Sequence, residues 1–278
     1  MQTISVILPA YDAAKHLRQC LSALVDQQAE GSDVEILVVD NNSTDQTAAI
    51  AREFPGVRVL CQPEQGSYAS RNLGIRESSG EAVVFLDPDC VPRPGWLLAA
   101  SRGFHAPASQ ILLGQRYYGP SAALKLLEIY EDEKIQWILR SGRADQVYGY
   151  TNNMAVRRSL LEEFGPFPER MRGGDTMFVQ RVVSALGIGC VAVVPGMGVD
   201  HLEVSGLRDY YHKRMVYGAS NALLSQEVPF RPLSNEQRFA VLRALLTRRR
   251  VAPWAAAALL LFLIPGALAY DWARRRAR

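Results

Sequence analysis

The chain has 278 residues, 48% hydrophobic and 21% charged, enough for one large α/β domain with an appendage. Its net charge of +3 is unevenly spread: from Arg243 onward there are eight arginines and one acid, a local +7, which leaves −4 for residues 1–242. A nucleic-acid binder carries its basic surface on the folded domain, so this distribution argues against nucleic acid and for a membrane surface. Four scattered cysteines with no CxxC pair argue against a cysteine zinc site and fit a reducing, cytosolic setting.

The opening "MQTISVIL" has no basic run and reads as a strand rather than a signal peptide. "ISVIL" (4–8) is a short β-branched strand, and Leu17, Cys20, Leu21, Leu24 and Val25 recur at helical spacing over 14–28. "EILVVD" (35–40) is a second strand and "STDQTAAIAREF" (43–54) a helix opening on capping residues. "VRVL" (57–60), "SYASRNLGIRESS" (67–79) and "AVVFL" (82–86) continue as strand, helix and strand. Such alternation predicts a mainly parallel sheet with helices on both faces, and ligands then bind beyond the carboxyl ends of the strands.

Acids collect at that edge. Asp40 ends the second strand, and Asp87 and Asp89 follow the fourth in "FLDPDC". Asp-Pro is ordinary turn chemistry, whereas two close carboxylates suit a hard cation. Their position where a ligand should lie favours the second reading.

The second half is less regular. Residues 121–139 read as an amphipathic helix, 148–167 as a strand, a short helix and a turn, and 173–186 as a helix opening on glycines and an acid. A strand at 190–194 and a long helix at 206–224 follow. "VAPWAAAALLLFLIPGALAY" (251–270) has no charge in 20 residues, roughly the 30 Å of a bilayer core. Arginines flank it on both sides, and Pro265-Gly266 should kink it, so a spanning placement, an interfacial or re-entrant one, and a helix buried in a protein contact all stay open.

Five blocks, in order, resemble family 2 glycosyltransferases of the GT-A fold over roughly residues 3–220: "SVILPAYDAAKHLRQCLSAL", "EILVVDNNSTDQT", "GSYASRNLGI", "FLDPDC" and "NNMAVRRSLLEEFGPFPERMRGGDTMFVQRV". The resemblance implies a Rossmann-like GT-A domain over 1–225, with a donor half to about 115 and an acceptor half beyond it. A basic linker (226–250), the apolar segment (251–270) and a basic tail (271–278) complete the chain. It implies a nucleotide-sugar donor. Pro9, Ala10 and Tyr11 match the loop against the base, and Asp40, Asn42, Ser43 and Asp45 match the nucleotide loop. Arg71 matches a basic residue near the donor, while Asp87 and Asp89 match the pair that approaches ribose and metal. Asp175 falls where the catalytic base is expected, and His201 where a histidine can reach a Mn²⁺ or Mg²⁺ ion. Two positions depart from the pattern: Asp12-Ala13 stands where Asn-Glu is common, and Gly174 precedes Asp175 where a glutamate is common.

The expectation is thus an inverting, metal-dependent enzyme that moves a sugar to a hydroxyl of a glycan or lipid-linked acceptor in polysaccharide biosynthesis, at the cytoplasmic face of the membrane. Its rivals are transfer to a polyprenyl phosphate, a nucleotidyltransferase, and a non-catalytic scaffold of the same fold.

Overall fold

The computed structural model describes residues 3–27, 31–170, 172–248 and 251–277. Of the expected basic clusters, residues 249, 250 and 278 lie outside the described residues, as do 1, 2, 28–30 and 171.

Eight strands form one sheet in the order β3-β2-β1-β4-β7-β6-β8-β5. The first half supplies β1 (Ile4–Ala10), β2 (Val34–Asp40), β3 (Val57–Cys61) and β4 (Ala82–Leu86), all parallel. Helices α1 (Ala14–Val25), α2 (Thr47–Arg52) and α3 (Ser67–Glu77) connect them. The alternation of strand side chains explains why this sheet needs cover on both faces. Val6, Leu8, Val84 and Leu86 enter one apolar cluster with α1, whereas Ile7, Val83 and Phe85 enter a second one. In the second cluster Phe85 meets Phe167 edge to face, with centroids 5.1 Å apart. Truncating a ring so placed costs about 3–5 kcal/mol.

Beyond β4 the sheet changes character. β5 (Cys90–Pro92), α4 (Trp96–Gly103) and β6 (Ile111–Tyr117) come first, then α5 (Ala122–Arg140), β7 (Asn153–Arg157), α6 (Arg158–Phe164), α7 (Gly174–Leu186) and β8 (Val191–His201). β7 runs antiparallel to both β4 and β6, and β5 runs antiparallel to β8. The expected strand at 190–194 is the first half of β8, which continues to His201 after an irregularity at the Gly114/Gln115 register. A Cβ on Gly114 would stand 2.3 Å from Met197 O and from Asn153 Nδ2. This close approach lets Asn153 bond both Gln115 O and Met197 O.

Three further helices, α8 (Leu207–Glu227), α9 (Asn235–Thr247) and α10 (Pro253–Arg276), pack with α5 around a third apolar cluster. The expected linker therefore contains a helix. Its start is a capping box in which Ser234 Oγ accepts from Gln237 N and Gln237 Oε1 accepts from Ser234 N.

Helix α10 carries the apolar segment and runs unbroken through Pro265. By length and composition it could cross a membrane, yet it is docked on the domain. Gly218 of α8 lets Tyr270 approach so closely that a Cβ there would lie 2.3 Å from Tyr270 O. Tyr211 donates to Phe262 O at 3.1 Å, and Asn221 donates to the Tyr270 hydroxyl at 2.9 Å. The opposite face exposes Trp254, Leu261, Ile264, Leu268 and Trp272, each more than half accessible.

Candidate active site

The parallel strands β1, β2 and β4 end at one edge. β7 begins there as well, because Asn153 pairs with Leu86. This edge gathers Asp40, Asp87, Asp89, His201 and the start of α7.

Pro9 and Ala10 are the last residues of β1 and are buried, so of the three expected loop residues only Tyr11 stands in the loop, 54% exposed. Asp40 is 8% exposed, and its Oδ1 is buried with no hydrogen-bond partner among the described residues. Asn42 is exposed and adopts φ 61°, one of two non-glycine residues described at positive φ; the other is Asp12, at 43°. Ser43 and Asp45 are spent on joining loops. Ser43 Oγ accepts from Asp12 N at 3.0 Å; Asp45 accepts from Ala14 N at 3.0 Å and Thr47 N at 2.9 Å. These bonds hold Asp45 below the usual carboxylate range: burial opposes them, but the donors from Thr47 and Ala14 prevail. Asp12, one of the two departures, ties the same loops together by accepting from Thr44 N at 2.8 Å.

One residue escaped the sequence reading. Asn41 donates to Gln62 O and Glu64 O and accepts from Gly66 N at 2.8 Å, so it pins the loop between β3 and α3. Its only signal in the sequence was its place between Asp40 and Asn42.

Arg71 is 4% exposed and forms an ion pair with Asp87, while its Nε is buried without a partner among the described residues. Asp87 is thereby charge-compensated. Asp89 is not, and its position follows from β5: Cys90 pairs with His201 across to β8, and Leu202 N donates to Asp89 O at 2.8 Å. His201 Nδ1 then lies 3.3 Å from Asp89 Oδ2 without forming a hydrogen bond. Burial, then the neighbouring Asp87 carboxylate, push Asp89 up to about 7. Burial and the Lys213 charge push His201 down to about 3, so its imidazole is neutral, the form that ligates metals.

Asp89, Cys90 and His201 offer ligand atoms within 4.8 Å of one another. Burial pushes the Cys90 thiol well above its usual range, so it stays protonated and points at Asp89 Oδ1 at 3.6 Å. A buried carboxylate facing an unpartnered imidazole nitrogen fits a divalent cation with mixed oxygen and nitrogen preference, Mn²⁺ over Ca²⁺. Asp87 is the neighbouring carboxylate with the largest electrostatic effect on Asp89.

Asp175 opens α7. Its Oδ1 accepts from Thr176 N at 2.8 Å and its Oδ2 from Thr151 N at 3.3 Å. Burial pushes its carboxyl up; the bonds from Thr176 and Tyr68 and the charge of Arg71 pull back without cancelling the effect. The second departure has a steric cause. A Cβ on Gly174 would stand 2.7 Å from Pro168 O and 3.1 Å from the Tyr68 ring, so no glutamate fits there without backbone movement.

Asp87, Asp175 and His201 share a cavity of about 300 Å³ that extends away from the strand edge between α5, α8 and the C-terminal helices. Seven cationic side chains line it against three carboxylates, together with eight tyrosines. A second cavity of about 270 Å³ shares Tyr130, Glu131, Tyr210, Arg214 and Arg238 with the first and leads out along Leu260, Leu263 and Ile264 of α10.

This architecture is that of the GT-A fold. The family model described as glycosyl transferase family 2 matches residues 5–165, and the chain belongs to that family. Glycosyltransferase AglE of Haloferax volcanii is 34% identical over 188 residues, covering 66% of this chain and 62% of that protein. YdaM of Bacillus subtilis is 28% identical over 64% of this chain and 46% of that protein. The chain thus spans roughly half to three fifths of the length of these relatives. Among solved structures, the mannosyltransferase PcManGT from Pyrobaculum calidifontis in complex with GDP-Man and Mn²⁺ has a TM-score of 0.64 at 20% identity, over 99% of this chain and 82% of that one. Glucosyl-3-phosphoglycerate synthase from Mycobacterium tuberculosis, in complex with Mn²⁺, UDP-glucose and glycerol 3-phosphate, has a TM-score of 0.59 at 22% identity, over 83% and 81% of the two chains.

Proposed function

We propose that this protein is a divalent-metal-dependent, inverting glycosyltransferase that moves a sugar from a nucleotide-sugar donor to a hydroxyl of a glycan or lipid-linked acceptor at the cytoplasmic face of a membrane. The observation that carries the reading is the meeting of three groups on one cavity: the Asp87–Arg71 pair, His201 facing Asp89, and Asp175 at the start of α7. Solved structures of the same fold bind nucleotide sugars together with Mn²⁺, which supports the donor class and the ion.

In this reading Asp40 holds the nucleoside, and Asp89 and His201 hold the metal. A divalent cation, when bound, would neutralise the charge of the departing diphosphate. Asp175 accepts the proton of the acceptor hydroxyl as its oxygen bonds to the anomeric carbon and the nucleoside diphosphate leaves from the opposite face. One displacement inverts the anomeric centre. The raised Asp175 carboxyl suits a base, since a group poised nearer neutrality takes a proton more readily than an ordinary carboxylate. The exposed stripe Trp254, Leu261, Ile264 and Leu268 on α10 supports membrane contact along one face of a helix whose other face is held by α8.

The test is turnover of a nucleotide-sugar panel with Mn²⁺ and membrane-extracted acceptor, with the anomeric configuration of the product read by NMR. Release of a nucleoside diphosphate with inversion is expected. A retained configuration contradicts the role given to Asp175, and pyrophosphate release contradicts the reaction class.

A further inference from the structure

The cavity beyond Asp175 holds charge that the donor chemistry does not use. Arg116, at the end of β6, reaches into it and forms no ion pair among the described residues. Its guanidinium instead lies over the Tyr150 ring, 4.1 Å from the centroid. Lys134 and Arg214 enter from α5 and α8 and converge on one carboxylate, Glu131, with Arg214 Nη1 at 3.8 Å. Burial pushes Glu131 up, but Lys134 and Arg214 outweigh it and bring it down to about 2, so it is fully ionised.

Three cations against one anion leave an excess of two positive charges in a recess walled by tyrosines. The neighbouring charges do not remove it. Lys213 is paired with Glu203 and Arg238 with Asp271, and Asp132 does not line the recess. The Tyr148 hydroxyl in the same wall, a potential donor, is buried with no hydrogen-bond partner among the described residues. Unsatisfied charge and unsatisfied polar atoms are costly where water is scarce, and they are found together where a charged ligand completes them.

We propose that this recess is an anchor for a phosphate group on the acceptor, held by Arg116, Lys134 and Arg214 with the Tyr148 hydroxyl. A phosphate carries close to two negative charges and several acceptor oxygens, which matches both the excess charge and the free Tyr148 hydroxyl. The anchor deepens the glycosyltransferase reading and rests on it. The phosphate fixes the acceptor while a separate hydroxyl is presented to Asp175. Two sources share this chemistry. A water-soluble sugar or polyol phosphate would occupy the recess alone. A lipid phosphate would continue into the second cavity past Leu260 and Leu263 of α10.

The test uses the full chain in detergent with four probes: glycerol 3-phosphate against glycerol, and farnesyl phosphate against farnesol, by titration calorimetry. At least one phosphate should bind on the order of ten-fold or more tightly than its alcohol, since charge-assisted bonds are worth that much. Glycerol 3-phosphate binding marks a soluble acceptor; binding by farnesyl phosphate alone marks a lipid one. Arg116→Gln and Lys134→Gln should each abolish the advantage, and Arg116→Lys should keep most of it. A Mn²⁺-dependent thermal shift with nucleotide sugars, measured on the same preparations, reports that the fold and donor site survive. If neither phosphate outbinds its alcohol while that shift is present, the anchor is wrong and the donor reading stands. If the phosphates bind but no nucleotide sugar does, the recess is a phosphate site but its role as an acceptor anchor falls with the donor reading.

Discussion

The first half of the chain and the second half solve the problem of bringing side chains together by different means. In the first, β1, β2 and β4 are parallel neighbours, so their ends coincide by register alone, and short loops joined by Asp12, Ser43 and Asp45 set the rest. In the second, the cavity wall is drawn from β6, α5, α7, α8 and α10, elements more than 150 residues apart in the chain. Local rules are sufficient for the first arrangement. The second depends on packing between helices, and it is there that substitutions should divide binding, chemistry and stability most sharply.

The largest effect should come from Asp175→Asn, which keeps the bonds to Thr176 and Thr151 within reach but removes the base. The turnover rate should drop by about 10²–10⁴-fold while donor affinity holds. Because burial raises the Asp175 carboxyl, the wild-type rate should fall on acidification at a pH above the ordinary carboxylate range, and that limb should vanish in the variant. Folding disfavours the ionised form, so the variant should melt no lower than wild type. An unchanged rate would transfer the proton-accepting role to another group.

Gly218→Val tests whether the C-terminal helix is needed for the proposed acceptor site. The added side chain meets the Tyr270 backbone rather than a movable side chain. Overpacking of this kind should cost about 1–3 kcal/mol and weaken the acceptor more than the donor. Equal loss of both would mean that the two halves are not separable in this way.

The smallest effect on the fold should be that of Leu261→Glu, on the exposed face of α10. Stability should stay within about 0.5 kcal/mol, as for other surface sites. Flotation with anionic lipid vesicles should nevertheless fall markedly relative to wild type. Unaltered flotation would remove this stripe from the membrane contact.

The same contrast governs what the sequence revealed. The four strand–helix alternations, Asp40 and the "FLDPDC" acids were legible because each follows from a short hydrophobic period and the position of a strand end. The β5 strand was not, since three residues next to Pro88 carry no period, and it is β5 that brings Asp89 to His201. Helix α9 was hidden in a basic stretch read as linker, although Ser234 and Gln237 form a recognisable cap. Arg116, Lys134 and Arg214 offered no linear motif at all. They are about 20 and 80 residues apart, and only the packing of α5 and α8 beside β6 makes them neighbours. Helix α10 continues through Pro265 and is held on one side by α8, so the proline does not end the helix.

The most direct measurement is a thermal-stability titration of the full chain with UDP-, GDP- and dTDP-sugars, with and without Mn²⁺, repeated for Asp89→Ala. A selective rise that needs Mn²⁺ and is lost in Asp89→Ala is the expected result, and it would identify the donor as well as the metal site. A donor-dependent rise of equal size without Mn²⁺ or in Asp89→Ala would contradict the placement of a catalytic metal at Asp89 and His201.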